Sequence, residues 1–266
     1  MTPSRDFASR ALGPVEQYRG EAQADPQSAP ERSAGNAVPP DRAHELFGAS
    51  MPVMRRYADL LADAGVQRGL IGPREVPRLW ERHLMNCAVV EELIPRGAEV
   101  VDVGSGAGLP GVVLGILRPD LSVTLLEPLL RRTVFLQECV ELLELENVAV
   151  RRGRAEEMKK ELRADFVTAR AVAPLTRLAG WALPLLRPKG SLLAMKGEQA
   201  ESELEAARAD LSKQRPCVAD VIRVGRGKVD PATTVVRVTV TSESGRSTTS
   251  RSQRAPGGRK KRGRKR

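Results

Sequence analysis

Gly104, Gly106 and Gly108, with the carboxylates Asp102 before them and Glu127 after them, are the residues of this chain whose types and spacing could do chemistry. They lie in EVVDVGSGAGLPGVVLGILRPDLSVTLLE, residues 99–127. Glycines at a strand-to-helix turn let a backbone come close to a nucleotide cofactor, and an acid about 20 residues on can grip ribose hydroxyls. Glu127 is that acid. A dinucleotide fingerprint needs a further glycine three residues after the second one, so that helix amides can meet a pyrophosphate. Leu109 stands there instead, which disfavours a pyrophosphate ligand.

What remains is G-x-G-x-G with Asp102 two residues upstream, which resembles the S-adenosylmethionine-dependent methyltransferases of the doubly wound type. Elements to position such a turn are legible around it. Val100, Val101 and Val103 read as a strand, Val112 to Leu117 as a helix and Leu121 to Leu126 as a second strand. Downstream the pattern predicts helix over Val134 to Leu145, Leu175 to Leu186 and Gln199 to Gln214. It predicts strand over Val148 to Arg151, Asp165 to Ala169, Ser191 to Met195, Val218 to Val224 and Thr233 to Val240. Such alternation predicts an α/β, Rossmann-like, doubly wound fold with a mostly parallel seven-stranded sheet. Before it, Met54, Tyr57, Leu60, Leu61 and Ala64, then Val76, Leu79, Trp80, His83, Leu84 and Cys87, recur at helical spacing. The domain reading is a disordered leader over 1–40, a helical cap over 41–97, the methyltransferase domain over 98–243 and a disordered basic tail over 244–266. His83, among apolar residues, reads as cap packing.

Charge is distributed unevenly. Ten of the 43 basic residues and no acid lie from Ser244 to Arg266, so the rest of the chain carries 33 of each sign. A Ser, Thr, Gly, Arg and Lys tail with nothing to bury is an arm for polyanions, held by counterion release. Arg259, Lys260, Lys261, Arg262, Arg264, Lys265 and Arg266 are its densest part, and RNA is the abundant polyanion of a cytoplasm. Cys87, Cys139 and Cys217 form no C-x-x-C pair, so neither a disulfide framework nor a zinc site is predicted, and a reducing cytoplasm fits. His44 and His83 are the two histidines, too few for a histidine metal site. No apolar run reaches membrane-span length, and residues 1–40 lack the apolar core of a secretory signal.

The segments RHLMNCAVVEELIP, DVGSGAGLPG, TLLEPLLRRTVFLQECVELLELENV, RAEEM, TARAVAPL and AMKG occur in an order and spacing that resemble the RsmG (GidB) family of 16S ribosomal RNA guanine-N7 methyltransferases. The resemblance runs from about Arg42 to Val240. It implies S-adenosylmethionine as donor and, as substrate, a guanosine in the 530 loop of 16S rRNA, position 527 in the standard numbering of that RNA. The implied partner is the small ribosomal subunit or its assembly intermediate. The resemblance also implies site residues: Gly104, Gly106 and Leu109 in the donor turn, Glu127 on the ribose, Ala155 and Glu156 on the adenine, and Arg170 at the end of the fourth strand. Lys196, in AMKG, reads as an RNA-facing residue, with a plain strand end as the alternative. Where the family often has Asp-Ser, this chain has Asn86 and Cys87.

The chemistry needs no general base, because guanine N7 carries an available lone pair and alignment of donor and acceptor supplies the catalysis. Arg170 is the candidate for orienting the donor and for facing a pocket into which the base is flipped. Two other readings stand beside this one. A non-catalytic RNA-binding or assembly factor would keep the donor pocket without using it. An NAD-dependent oxidoreductase would need the pyrophosphate loop that Leu109 interrupts.

Overall fold

The computed structural model describes residues 38–241. The predicted leader, apart from its last three positions, and the predicted basic tail lie outside the described residues. Helices α1 (Asp41–Phe47) and α2 (Met51–Leu60) open the described chain. Helical turns continue over Leu61–Gly65 and through residues 73–93, which include the short α3 (Asn86–Ala88). Then come β1 (Glu99–Val103), α4 (Gly111–Leu117), β2 (Ser122–Glu127), α5 (Leu130–Leu142), β3 (Val148–Arg152) and β4 (Ala164–Arg170). The chain finishes with α6 (Leu175–Ala182), β5 (Leu186–Lys196), α7 (Ala200–Gln214), β6 (Cys217–Val224) and β7 (Thr233–Val240).

Seven strands form one sheet in the order β3-β2-β1-β4-β5-β7-β6. The first five are parallel to their neighbours, and β7 runs antiparallel to both β5 and β6. β1 buries four consecutive residues, Val100 to Val103, because a central parallel strand is covered on both faces. One face packs on the N-terminal helices, α4 and α5, in a core cluster that includes Phe47, Met54, Tyr57, Leu114 and Phe135. On the other face Leu178, Leu183, Leu192, Leu204 and Val236 join α6 and α7 to the sheet. Strand order reverses between β1 and β4, and their carboxyl ends flank the crevice where doubly wound sheets bind ligands.

Several boundaries differ from the sequence expectation, three of them for identifiable reasons. The helix predicted over Leu175 to Leu186 ends at Ala182, and Leu186 already belongs to β5. Pro184 lacks the N–H that would continue the ladder, so Leu183–Leu185 tightens into a 3₁₀ turn. β5 accordingly starts before the predicted Ser191. Its pairing with β4 skips from Leu186 to Ser191, leaving Arg187 to Gly190 as an irregular bulge with Lys189 at φ 67°. α5 starts at Leu130, four residues before the predicted Val134. The exposed Leu130 and Arg131 carry no inward-facing periodicity to mark that first turn. Among the described residues, no helix is long and apolar enough to cross a membrane.

Candidate active site

The turn after β1 is shaped by positive backbone angles, with φ of 68° at Gly104, 59° at Gly106 and 98° at Gly108. Two of these positions show why only glycine serves. A Cβ on Gly104 would lie 3.0 Å from a methyl of Val172, and one on Gly108 would lie 2.5 Å from Val112 and 2.7 Å from the Tyr57 hydroxyl. Gly104, Gly106 and Leu109 keep part of their surface open while Ser105, Ala107 and Gly108 are buried, and at the two glycines that open surface is backbone. Gly111 then brings α4 onto the sheet: its Cβ would stand 2.3 Å from Leu125 and 2.9 Å from Asp102. The close helix-to-strand approach that a dinucleotide fingerprint obtains from its last glycine is made here two residues beyond Leu109.

Two buried carboxylates pin this turn from behind. Asp102 accepts from Thr168 Oγ1 at 2.8 Å and from Gly111 N at 3.2 Å, tying β1 to β4 and to the start of α4. Its backbone carbonyl accepts Ser105 Oγ at 2.8 Å. Burial pushes the Asp102 carboxyl up to about 6, against the lowering effect of these hydrogen bonds. Glu127, 1% exposed at the end of β2, accepts Gly106 N on Oε2 and Leu129 N on Oε1, each at 3.0 Å. Its carbonyl accepts Gly153 N at 3.2 Å, which draws in the segment after β3. Glu127 is therefore no loose surface carboxylate. Ala155, 6% exposed, and the exposed Glu156 follow Gly153 on that segment.

Arg170 leaves β4 on the other side of the crevice, beside Val172, and reaches the N-terminal helices. It donates to Arg82 O at 3.0 Å, to His83 O at 3.4 Å and to Cys87 Sγ at 3.2 Å. Its Nη2 also lies 2.8 Å from His83 Nδ1. Because a guanidinium only donates, His83 Nδ1 must accept and the imidazole proton sits on Nε2, 2.8 Å from Glu75 Oε2. Burial, and then the charge of Arg170, hold the His83 pKa below its usual value, while the His83 bond holds the Glu75 carboxyl low. Burial raises the Cys87 thiol, so that sulfur meets Arg170 uncharged. No carboxylate pairs with Arg170 among the described residues. Its charge is met by carbonyls, a ring nitrogen and a thiol.

Three supporting residues escaped the sequence reading. Tyr57, fully buried on α2, donates to Ala107 O at 2.7 Å and so closes the glycine turn from the N-terminal layer. Burial holds its phenol protonated, well above the usual range. Thr168 was hidden in an apolar strand, and Glu203 in a charged helix. Glu203 accepts Leu175 N at 3.0 Å and Lys196 Nζ at 2.8 Å, and Lys196 also donates to Ala173 O at 2.8 Å. The segment joining β4 to α6 is thus fixed from β5 and α7. Lys196 is only 10% exposed in that arrangement. Arg259 to Arg266 lie outside the described residues.

A seven-stranded doubly wound sheet with a glycine turn after β1 and a buried acid ending β2 defines the class of S-adenosylmethionine-dependent methyltransferases. A protein of Methanococcus maripaludis assigned to those enzymes superposes with a TM-score of 0.50 at 10% identity, over 73% of this chain and 94% of that one, and shares the fold. The model of a family described as GidB, rRNA small subunit methyltransferase G, matches residues 50–228. A ribosomal RNA small subunit methyltransferase G of Thermobifida fusca is 76% identical over 234 residues, covering 87% of this chain and 99% of that protein. One of Streptomyces avermitilis is 61% identical over 207 residues, covering 77% and 87% respectively. The chain belongs to the rRNA small subunit methyltransferase G family.

Proposed function

We propose that this chain transfers the methyl group of S-adenosylmethionine to N7 of a guanosine in the 530 loop of 16S rRNA. The observation that carries the reading is the buried Glu127 carboxylate bridging Gly106 N and Leu129 N, which sets an acid against a glycine turn and so supports a ribose-binding role. Each of its oxygens retains a lone pair for a sugar hydroxyl. In this reading Gly104 and Leu109 hold the donor through backbone groups, Ala155 and Glu156 border its adenine, and Arg170 supplies the positive charge at the opposite wall. An arginine without a carboxylate partner suits the amino acid carboxylate of the donor or a phosphate of the acceptor. When bound, the cofactor supplies an electrophilic methyl on a sulfonium. The protein aligns the ring nitrogen with it and needs neither a base nor a metal for the step.

The basic residues Arg259, Lys260, Lys261, Arg262, Arg264, Lys265 and Arg266 serve as a phosphate-binding arm in this account, giving local concentration and no base choice. Lys196 first holds the loop after β4, and touches RNA only by leaving Glu203. The three free cysteines accord with action in the cytoplasm, on the small subunit or its assembly intermediate. The test is methyl transfer from labelled S-adenosylmethionine to small-subunit RNA and particles lacking the modification, followed by mapping of the modified base. Calorimetry with S-adenosylmethionine and with NAD accompanies it. Label at guanine N7 of that loop is the expected result. Donor binding without transfer to any form of the RNA would favour a non-catalytic assembly role, and NAD binding would overturn the cofactor.

A further inference from the structure

A second basic site lies at the other end of the sheet, where β4 and β5 begin. It is a cleft of about 630 Å³ whose walls include Lys159, Lys160, Arg163, Gln214 and Arg215 and contain no acid. Two of these cations are built in. Arg163 Nη1 donates to Lys159 O, to Leu162 O at 2.9 Å and to Pro184 O at 3.0 Å. Arg215 Nη1 donates to Leu183 O and to Leu186 O, each at 2.9 Å. Both guanidiniums therefore converge on one four-residue stretch, Leu183 to Leu186, and carbonyl bonds hold them there. Among the described residues, neither arginine nor either lysine has a carboxylate partner. Four cations share these walls with no acid among the lining residues, so an anion in the cleft would be attracted by all of them. Guanidinium edges left free beside ammonium groups match phosphate oxygens.

The geometry points to this cleft as a binding site for the phosphodiester backbone of the RNA substrate, distinct from the methyl-transfer crevice. It rests on the reading that the chain acts on ribosomal RNA. β4, seven residues long, separates the two sites by about 20 Å at roughly 3.3 Å per residue, so the cleft contacts a part of the substrate remote from the target base. It contributes affinity and register and leaves the choice of base to the crevice.

The test uses the full chain, undermodified small subunits and a salt series. Lys159→Gln with Lys160→Gln removes two exposed charges that no described bond employs. Gln214→Glu, as a second variant, places an acid on the wall without breaking a described bond. For the lysine pair, the slope of log affinity against log salt is expected to fall by roughly 1.4 to 1.8. KM for the subunit should rise in both variants, with kcat and S-adenosylmethionine affinity unchanged. An unaltered slope and KM, with wild type binding and methylating normally, overturns the cleft alone. A wild type that neither binds nor methylates the RNA removes the proposed function and this site with it. Inorganic phosphate provides the last arm: phosphate binding lost in the variants while RNA binding stays intact would show a small-anion site and overturn the RNA assignment.

Discussion

Replacing Glu127 with Gln changes one atom and disturbs two functions at once. Both carboxylate oxygens accept backbone N–H groups, Gly106 N and Leu129 N at 3.0 Å each, and the side chain is 1% exposed. Gln keeps one acceptor and turns an NH₂ group toward the other N–H, so one buried backbone donor loses its partner. Such a loss costs about 1–3 kcal/mol. At about 2 kcal/mol, the melting temperature of a domain of this size falls by roughly 4–8 °C. The proposed charge-assisted contact to the donor ribose weakens as well, and about 1.5–3 kcal/mol there corresponds to a roughly 10- to 150-fold rise in Kd for S-adenosylmethionine. Thermal melts of the ligand-free protein give the first number, and calorimetric titration of the folded variant well below its melting point gives the second. Glu127→Ala should share the donor loss without the donor-to-donor clash. A Gln variant with wild-type melting temperature would refute the role assigned to the two N–H bonds. One that melts lower and binds S-adenosylmethionine normally would refute the ribose assignment alone.

Gly104→Val should abolish donor binding in a protein whose circular dichroism is native, because φ is 68° and the new Cβ meets Val172 at 3.0 Å; unchanged affinity would remove the turn from the donor site. Acid should loosen the junction of Arg170 with the N-terminal helices. The folded pKa of His83 lies below its unfolded value, so its contribution to stability is complete above about pH 6.5 and is lost as pH falls through the folded value. Urea midpoints of wild type and His83→Asn between pH 7.5 and 5 should converge as pH falls; the opposite pH trend of Asp102 is common to both proteins and cancels in the difference. Deleting Ser244 to Arg266 should reduce the salt slope of RNA binding by roughly 3.5 to 4.5 if about five of its ten basic residues contact phosphates, without moving the methylated base. An unchanged slope would make that segment a bystander, and a shifted base would give it a part in recognition.

The parallel core and donor turn were legible because their requirements are local. Continuous burial leaves the Val100 to Val103 run, and positive φ leaves glycine. Glu127 was legible as a position and not as a set of bonds: its tie to Gly106 spans 21 residues and uses a backbone N–H, which no residue type advertises. Tyr57 reads in the sequence as one more apolar residue of a helical stripe, since nothing in the spacing distinguishes a hydroxyl that finds a carbonyl from one that reaches water. His83 reads in the sequence as packing, and burial at 13% side-chain exposure agrees. Its bridge between Arg170 and Glu75 depends on the N-terminal helices docking against the end of β4, a tertiary fact. Pro184 is a local signal in the sequence for the end of the helix expected to run to Leu186.

Tyr57 lies 50 residues before the carbonyl it holds. A fragment beginning at Glu99 would carry every glycine and carboxylate of the donor turn and still lack the hydroxyl that closes it. The N-terminal helices and the glycine turn are therefore inherited together. A graft of foreign helices onto this sheet would have to bring a phenol to the same point, or leave Ala107 O buried and unpaired. These helices are matched to their sheet as one half of a lock, and a replacement has to reproduce the Tyr57 bond before it can carry anything else.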